Sequence, residues 1–367
     1  MKVPDIRQKA AGLLSTFKLP PRTDESWRRV NLAGLDLGGF GSAPSGNTSF
    51  SVVSCQDASV EQNDAIPDLN GFSFEPADIF ECFNAAEADR SVFVRMGKTG
   101  HVRVRHEASG QRLVHRVYVF VPDGAEAVFI EDFSAPGSEQ ALLSHEVQIH
   151  CGKGSSLKYL SIRRYSPSVW NFHRVRAQVK RDANLHASMV HNGGHVGKTF
   201  VGAVLEEPGA TFRGVGVTTL GGREFLDAEM TAEHPSDHTS SSLHYKTVLR
   251  GRAHSVFNGN LMIPPGTKDV HSHQTNNNIL LDPTARAESQ PRLVIQSEDV
   301  SAEHGATVGE IDLDALFFLM SRGIPEVDSR QLLMTGFLSQ ITEELPLDPE
   351  EREEILAESL RRLYDAR

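Results

Sequence analysis

From about residue 92 to residue 310, apolar and polar side chains alternate. Val102 and Val104 share one face of the segment 101–105. Between residues 172 and 180, Val175, Ala177 and Val179 share a face, while Arg174, Arg176, Gln178 and Lys180 take the other. Leu185, Ala187 and Met189 repeat the pattern, as do Val201, Ala203 and Leu205. Period two predicts strands with one buried face. Short turns separate these strands: Asp123-Gly-Ala125, Gly152-Lys-Gly-Ser155, Arg181-Asp-Ala183, Glu207-Pro-Gly-Ala210, Arg250-Gly-Arg-Ala253 and Asp282-Pro-Thr-Ala285. Each leads into a small residue, and they recur at roughly 25–40 residues with no helical pattern between them. A sandwich or barrel would alternate similarly. The shared turn pattern, and the lack of a dominant Asn-Gly hairpin signal, favour a parallel β-helix. The run Asn276-Asn277-Asn278 suits stacked coils in which amides ladder.

The flanks have another character. Residues 1–40 read as helical and irregular, with Pro20-Pro21 as a helix stop. Residues 41–70, rich in Ser, Gly and Asn, predict a long loop or weak strands, and 77–90 predict one amphipathic helix. After residue 311 the period becomes helical. Asp312 caps a helix over 312–321 that ends at Gly323 in the C′ role. A second helix over 326–345 carries Leu332, Leu333, Phe337 and Ile341. Asp348-Pro349 starts a third, with Pro at N1 and Ile355, Leu356, Leu360 and Leu363 on one side. The expected organisation is an N-terminal helical and irregular region (1–91), a β-helix core (92–310) and a C-terminal helical domain (311–367).

Composition narrows the function. The chain has 367 residues and a formal net charge of −11. A general nucleic-acid binder would be basic, so that class is disfavoured. Residues 326–367 hold more than half of the imbalance, with 11 acidic against 5 basic side chains. That tail reads as a solvated helical face or, more sharply, as a docking surface for a basic partner. Cys55, Cys82 and Cys151 have no CxxC spacing, which fits a reducing compartment and excludes a four-thiolate cluster site from one chain. No run is long and apolar enough for a membrane span, and the first residues lack an apolar signal region, so the expectation is a cytoplasmic protein.

Sixteen histidines are the main chemical resource. His271-Ser-His273 would place two imidazoles on one strand face, a chelating pair of the kind cupin-like and other β-rich metalloenzymes use. The sequence offers no acid between His273 and Asp282, so a third ligand is missing locally. His304 lies between Glu303 and Gly305, where a strand-to-helix junction is expected. His234, His238, His244 and His254 suggest a strand pair with an imidazole-rich outer face. Classical hydrolase and nucleotide motifs are absent. Gly152-Lys-Gly-Ser-Ser156 has only a superficial likeness to GxSxG, there is no GxxxxGK[ST], and Gly214-Val-Gly216 lacks a third Gly. Few aromatics and no leader argue against a polysaccharide-acting β-helix.

Several segments together carry a resemblance. Pro291-Arg-Leu-Val-Ile-Gln-Ser-Glu-Asp-Val300, His304-Gly-Ala-Thr-Val-Gly309, Leu316-Phe-Phe-Leu-Met-Ser-Arg-Gly-Ile324 and Gly336-Phe337 are similar to the C-terminal signature of the SufB/SufD proteins of the SUF iron–sulfur cluster assembly machine. The likeness extends upstream through 277–281, 257–259 and 242–249. It is weaker at Glu25-Ser-Trp-Arg28, a SufD-type match. The SufB marks, a Cys and a second Glu, would fall at Asn276 and Gly305 and are missing, so the chain resembles the SufD type. A Cys common in SufD two residues before the His is Ala302 here.

The resemblance implies a right-handed parallel β-helix with helical ends and a non-enzymatic scaffold role. It implies pairing with a SufB-type subunit and docking of a SufC-type ATPase through the C-terminal helices. A homodimer in isolation is also compatible with it. His304 would be the residue carried over to a transient iron–sulfur cluster at the partner interface, joining a partner thiolate in a labile mixed S/N site. The competing expectation is a metalloenzyme that uses His271 and His273.

Overall fold

The computed structural model describes residues 3–40, 48–62, 75–108 and 110–365; segments 41–47 and 63–70, part of the expected loop or weak strands, lie outside the described residues. The chain opens with α1 (Val3–Leu14), β1 (Thr48–Gln62) and α2 (Ile79–Glu87). The strands that follow are β2 (Arg90–Ala108), β3 (Arg112–Val121), β4 (Glu126–Ala135), β5 (Ala141–Cys151), β6 (Ser156–Tyr165), β7 (Val169–Val179), β8 (Asn184–Gly193) and β9 (Val196–Leu205). They continue as β10 (Thr211–Leu220), β11 (Phe225–Glu233), β12 (Ser240–Leu249), β13 (His254–Ile263), β14 (Val270–Leu280), β15 (Arg286–Ile295) and β16 (Val300–Gly309). Three helices close the chain: α3 (Leu313–Ser321), α4 (Glu326–Thr342) and α5 (Pro349–Asp365).

Each strand pairs in parallel with the strand two places away, even with even and odd with odd, and β2 belongs to both series. The chain therefore winds as a parallel β-helix with two strand faces per coil. β1 is the exception. It lies antiparallel along β2, with bulges after Val52 and Gln56, so this stretch forms a long strand rather than a weak one.

Parallel register stacks like on like inside the coil. Val117, Val147, Val175 and Val201 form one in-register column, all nearly inaccessible to solvent. The turns explain the small residues after them. Gly124, Gly154 and Gly209 adopt positive φ in successive coils, and Asp182 takes the same conformation at its level. Asp and Gly tolerate this region where branched residues do not. Ala125, Ser155, Ala183 and Ala210 then pack inward with no exposure. Ala210→Leu is expected to overpack that column and cost about 1–3 kcal/mol. It should lower the urea midpoint, and an unchanged midpoint would mean that the column is not close-packed.

The outer faces are covered in two places. Trp27, Val30, Leu35 and Phe40 pack with α2 over the outer face of the odd strands, on Val114, Leu142 and Trp170. Trp27 stacks on Phe80 at 4.6 Å, and Phe80 stacks on Phe172 at 4.1 Å. On the even strands, Met334, Leu338 and Ile341 of α4, with Leu356, Leu360 and Leu363 of α5, cover Val215, Val217 and Val248. Ile355 covers Leu160 and Val190. Of the expected stripe on α4, Ile341 is buried and Leu333 and Phe337 pack against the same core, whereas Leu332 is exposed and Met334 and Leu338 take its place in the buried line.

The caps fall where the sequence places them. Asp312 accepts hydrogen bonds from the backbone of Asp314 and Ala315, and Asp348 accepts one from Glu351 N–H at 2.8 Å. Gly323 has positive φ beyond α3. The Asn run does not form a ladder. Asn276 bonds the Tyr245 carbonyl, Asn277 bonds Thr307 Oγ1, and Asn278 bonds Asn276 in its own strand.

Candidate functional site at the uncovered end of the coil

β15 and β16 are the last strands of the two series, and among the described residues no further coil covers them. Most of β16 is solvent-exposed, whereas the corresponding positions of β12 are buried. Its outer edge presents unpaired backbone donors and acceptors, the usual template for strand addition. Ile295 and Val308 expose apolar surface at this end.

His304 sits in the middle of β16. The helix begins only at Leu313, so the strand-to-helix junction expected around His304 is displaced by half a strand. Register pairs His304 with Gln274, which continues the column Leu243, Gly214 and Ala187. These are interior positions. His304 therefore belongs to the inward-facing set and is exposed only because the next coil is missing. Behind it, Gln274 is buried and both of its amide atoms lack a hydrogen-bond partner.

His271 and His273 do share a face, as period two requires, but it is the outer one. Ser272 between them is buried. His271 Nε2 lies 3.0 Å from Asp269 Oδ1, and His273 Nδ1 lies 3.7 Å from Glu303. Asp269 lies two residues before His271 in the preceding turn, and Glu303 comes from the next coil. The two imidazoles are engaged separately, and His273 also contacts the Thr275 hydroxyl at 2.8 Å. His238 completes the turn cluster, with Nδ1 2.8 Å from Asp269 Oδ2. That hydrogen bond raises the His238 pKa and lowers that of Asp269.

The three sequence candidates do not converge. His273 pairs in register with Glu303, and Gln274 with His304. Adjacent residues of a strand point to opposite faces, so His304 lies across the sheet from His271 and His273. The expected imidazole-rich face over 234–254 also divides. His234 is fully buried between Thr239 and Ser241, and burial pushes its pKa down to about 4, while His238 is exposed.

Part of the acidic tail is spoken for. Glu351 pairs with Arg103, Glu358 with Arg164, and Glu344 with Arg213 at 2.5 Å. These pairs fasten α4 and α5 to the coil. The sequence reading missed another surface. Leu313, Phe317, Phe318 and Met320 of α3, with Val327 and Leu332 of α4, expose apolar side chains together. The i, i+4, i+7 spacing of Leu313, Phe317 and Met320 carried that signal. Exposed apolar side chains concentrated on neighbouring helices of this kind point to an interaction site. Among the described residues no helix is long and apolar enough to cross a membrane.

Together these features define a parallel β-solenoid with an uncovered terminal coil and a helical appendage bearing a free apolar face. The family model described as SUF system FeS cluster assembly, SufBD core domain, matches residues 104–337, and the chain belongs to that family. An iron–sulfur cluster assembly SufBD family protein of Synechocystis is 21% identical over 394 residues, covering 93% of this chain and 87% of the relative. The iron–sulfur cluster assembly protein SufD of Escherichia coli is 27% identical over 249 residues, covering 68% of this chain and 59% of that protein. A SufBD family protein of Staphylococcus saprophyticus is 25% identical, and the aligned region spans 53% of its length.

Proposed function

We propose that this chain is a SufD-like, non-enzymatic scaffold subunit of a cytoplasmic iron–sulfur cluster assembly complex. It pairs with a SufB-type subunit through the edges of β15 and β16. It docks a SufC-type ATPase through the apolar face of α3. His304 lends its imidazole to a cluster held transiently between the two solenoids, as cargo rather than as a resident group. The single observation that carries this reading is the uncovered terminal coil, with an exposed imidazole in an interior column that a second solenoid would continue. An exposed His can ligate iron beside a partner thiolate, and one shared between two chains releases its cargo when the interface moves.

Co-expression with SufB- and SufC-type subunits tests the reading. A ternary complex that co-purifies is expected, and a chain that stays monomeric overturns it. Alone, the same edges can pair two copies, so size-exclusion chromatography of the isolated chain should show a dimer. His304→Ala should reduce cluster formation on the complex at least about tenfold, with assembly intact. Loss of folding or of pairing instead would make His304 structural.

A further inference from the structure

Inside the first coils, the core changes character. In-register stacking puts His115, His145 and His173 in one column of β3, β5 and β7. From the facing strands, His106 of β2 and Glu131 of β4 meet that column. His106, Glu131 and His145 are all buried, at 0%, 0% and 2% exposure. Both imidazoles address the one carboxylate: His106 Nε2 lies 3.0 Å from Glu131 Oε1, and His145 Nε2 lies 3.1 Å from Oε1 and 3.3 Å from Oε2. The three ligand atoms lie within 4.8 Å of one another. Two ligands of a tetrahedral zinc or ferrous ion stand about 3.3 Å apart, given bonds of about 2.0–2.1 Å. The two imidazole–carboxylate spacings are already close to that value, and the remaining spacing closes by at most about 1.5 Å as the rings swing in.

The surroundings match what orients metal ligands. The other nitrogen of His106 lies 2.8 Å from His115 Nδ1, and the Tyr159 hydroxyl donates to Glu131 Oε2 at 2.7 Å. Partners of this kind fix ring orientation and tautomer. A second observation extends beyond the donor set to the rest of the column. His115 Nε2, His145 Nδ1 and His173 Nδ1 are buried without a hydrogen-bond partner. A coil that needed only filling would use valine, as the column from Val117 to Val201 does. Burying a carboxylate among imidazoles instead costs several kcal/mol unless it is paired and hydrogen-bonded, and here His106, His145 and Tyr159 supply those partners while ring nitrogens of the column stay unpaired. Arg163 is buried in the same interior, bonded to Ser161 and Thr199. Its charge opposes a cation and sets the cost that the ligand bonds must exceed.

We propose that His106, Glu131 and His145 form a buried site for one borderline divalent metal ion of the zinc or ferrous type, which ties β2, β4 and β5 together within a single chain. Two imidazoles and a carboxylate suit those ions, rather than oxygen-seeking calcium or thiolate-seeking cuprous ion. The ion is resident and structural, and separate from His304.

The test uses the full chain carrying His271→Ala, His273→Ala and His304→Ala, so that surface imidazoles do not contribute. It is produced in cobalt-supplemented medium, which lets the ion enter during folding. One retained equivalent of cobalt, with visible d–d absorption and a thermal midpoint above that of the metal-free chain, is the expected result. Glu131→Gln and His145→Gln should each weaken retention at least about tenfold. No retained cobalt overturns the proposal, and so does equal retention by a Glu131→Gln/His145→Gln double variant. If those variants fail to fold, X-ray absorption on the zinc-loaded parent decides. Two imidazole nitrogens in the first shell support the site, and a thiolate or all-oxygen shell overturns it. Partner assembly is read separately by co-purification, so failure of one reading leaves the other standing.

Discussion

Arg116→Met is expected to cost about 3–5 kcal/mol of folding stability, measured as a fall in the free energy of urea unfolding. Arg116 is 1% exposed. Its guanidinium forms two parallel hydrogen bonds to Glu146 at 2.8 and 2.9 Å, and a third to Asn84 Oδ1 at 3.2 Å. Its Nε donates to the Tyr118 hydroxyl. Asn84 in turn donates to the His115 carbonyl and to Ser144. One side chain thus joins α2 to β3 and β5 beneath the N-terminal cover. Removing it strands a buried carboxylate, and that desolvated charge sets the size of the effect. Arg174 and Arg176 lie near enough to relieve part of it, which favours the lower end of the range.

The acid limb gives a second readout. Burial alone would raise the Glu146 pKa, but Arg116, backed by Arg176 and Arg174, outweighs burial and holds it below the ordinary value of 4.5. A carboxylate depressed in the folded state adds stability that is present above the unfolded pKa and is lost as pH falls through the folded one. Arg116→Met should therefore flatten stability against pH below about 4.5. Adding Glu146→Gln should recover much of the loss, because both partners of the buried pair are then neutral. A single variant as stable as the parent would show the pair to be unimportant.

What could be read from the sequence depended on whether one strand face meets water. β7 was plain because Val175, Ala177 and Val179 alternate with half-exposed Arg174, Arg176 and Gln178. β3 and β5 are buried on both faces under α2 and the N-terminal segment, so their apolar runs carry no period. The shared turns were legible because each coil repeats one backbone problem at the same place. Sites were harder, since their members come from different coils. Whether His304 faces inward depends on its pairing with Gln274, and no local pattern encodes that register. Glu303 beside His273 was invisible for the same reason, whereas Asp269 stands only two residues before His271. The imidazole column at His115, His145 and His173 was present as three histidines spaced by about one coil. It becomes readable only once the coil length is known.

Phe317→Glu should abolish docking of the SufC-type ATPase while leaving the fold untouched. Phe317 is 73% exposed and Leu313 63% exposed, so neither supports the coil. The adjacent Leu316 is buried in the core that α4 and α5 form on the coil. A large aromatic at the centre of an apolar patch is the usual anchor of an interface, worth about 2–4 kcal/mol on truncation. Placing a carboxylate there adds a desolvation cost, so affinity should fall at least about 100-fold. The acidic residues make a useful contrast. Glu351 and Glu358 are committed to Arg103 and Arg164, so Glu351→Gln should loosen α5 from the coil before it affects any partner. Binding titrations of the ATPase against both variants, with thermal melts alongside, separate the two surfaces. Retained binding by Phe317→Glu, together with loss on charge reversal of the exposed Glu350 and Glu354, would move the contact from α3 to the acidic face of α5.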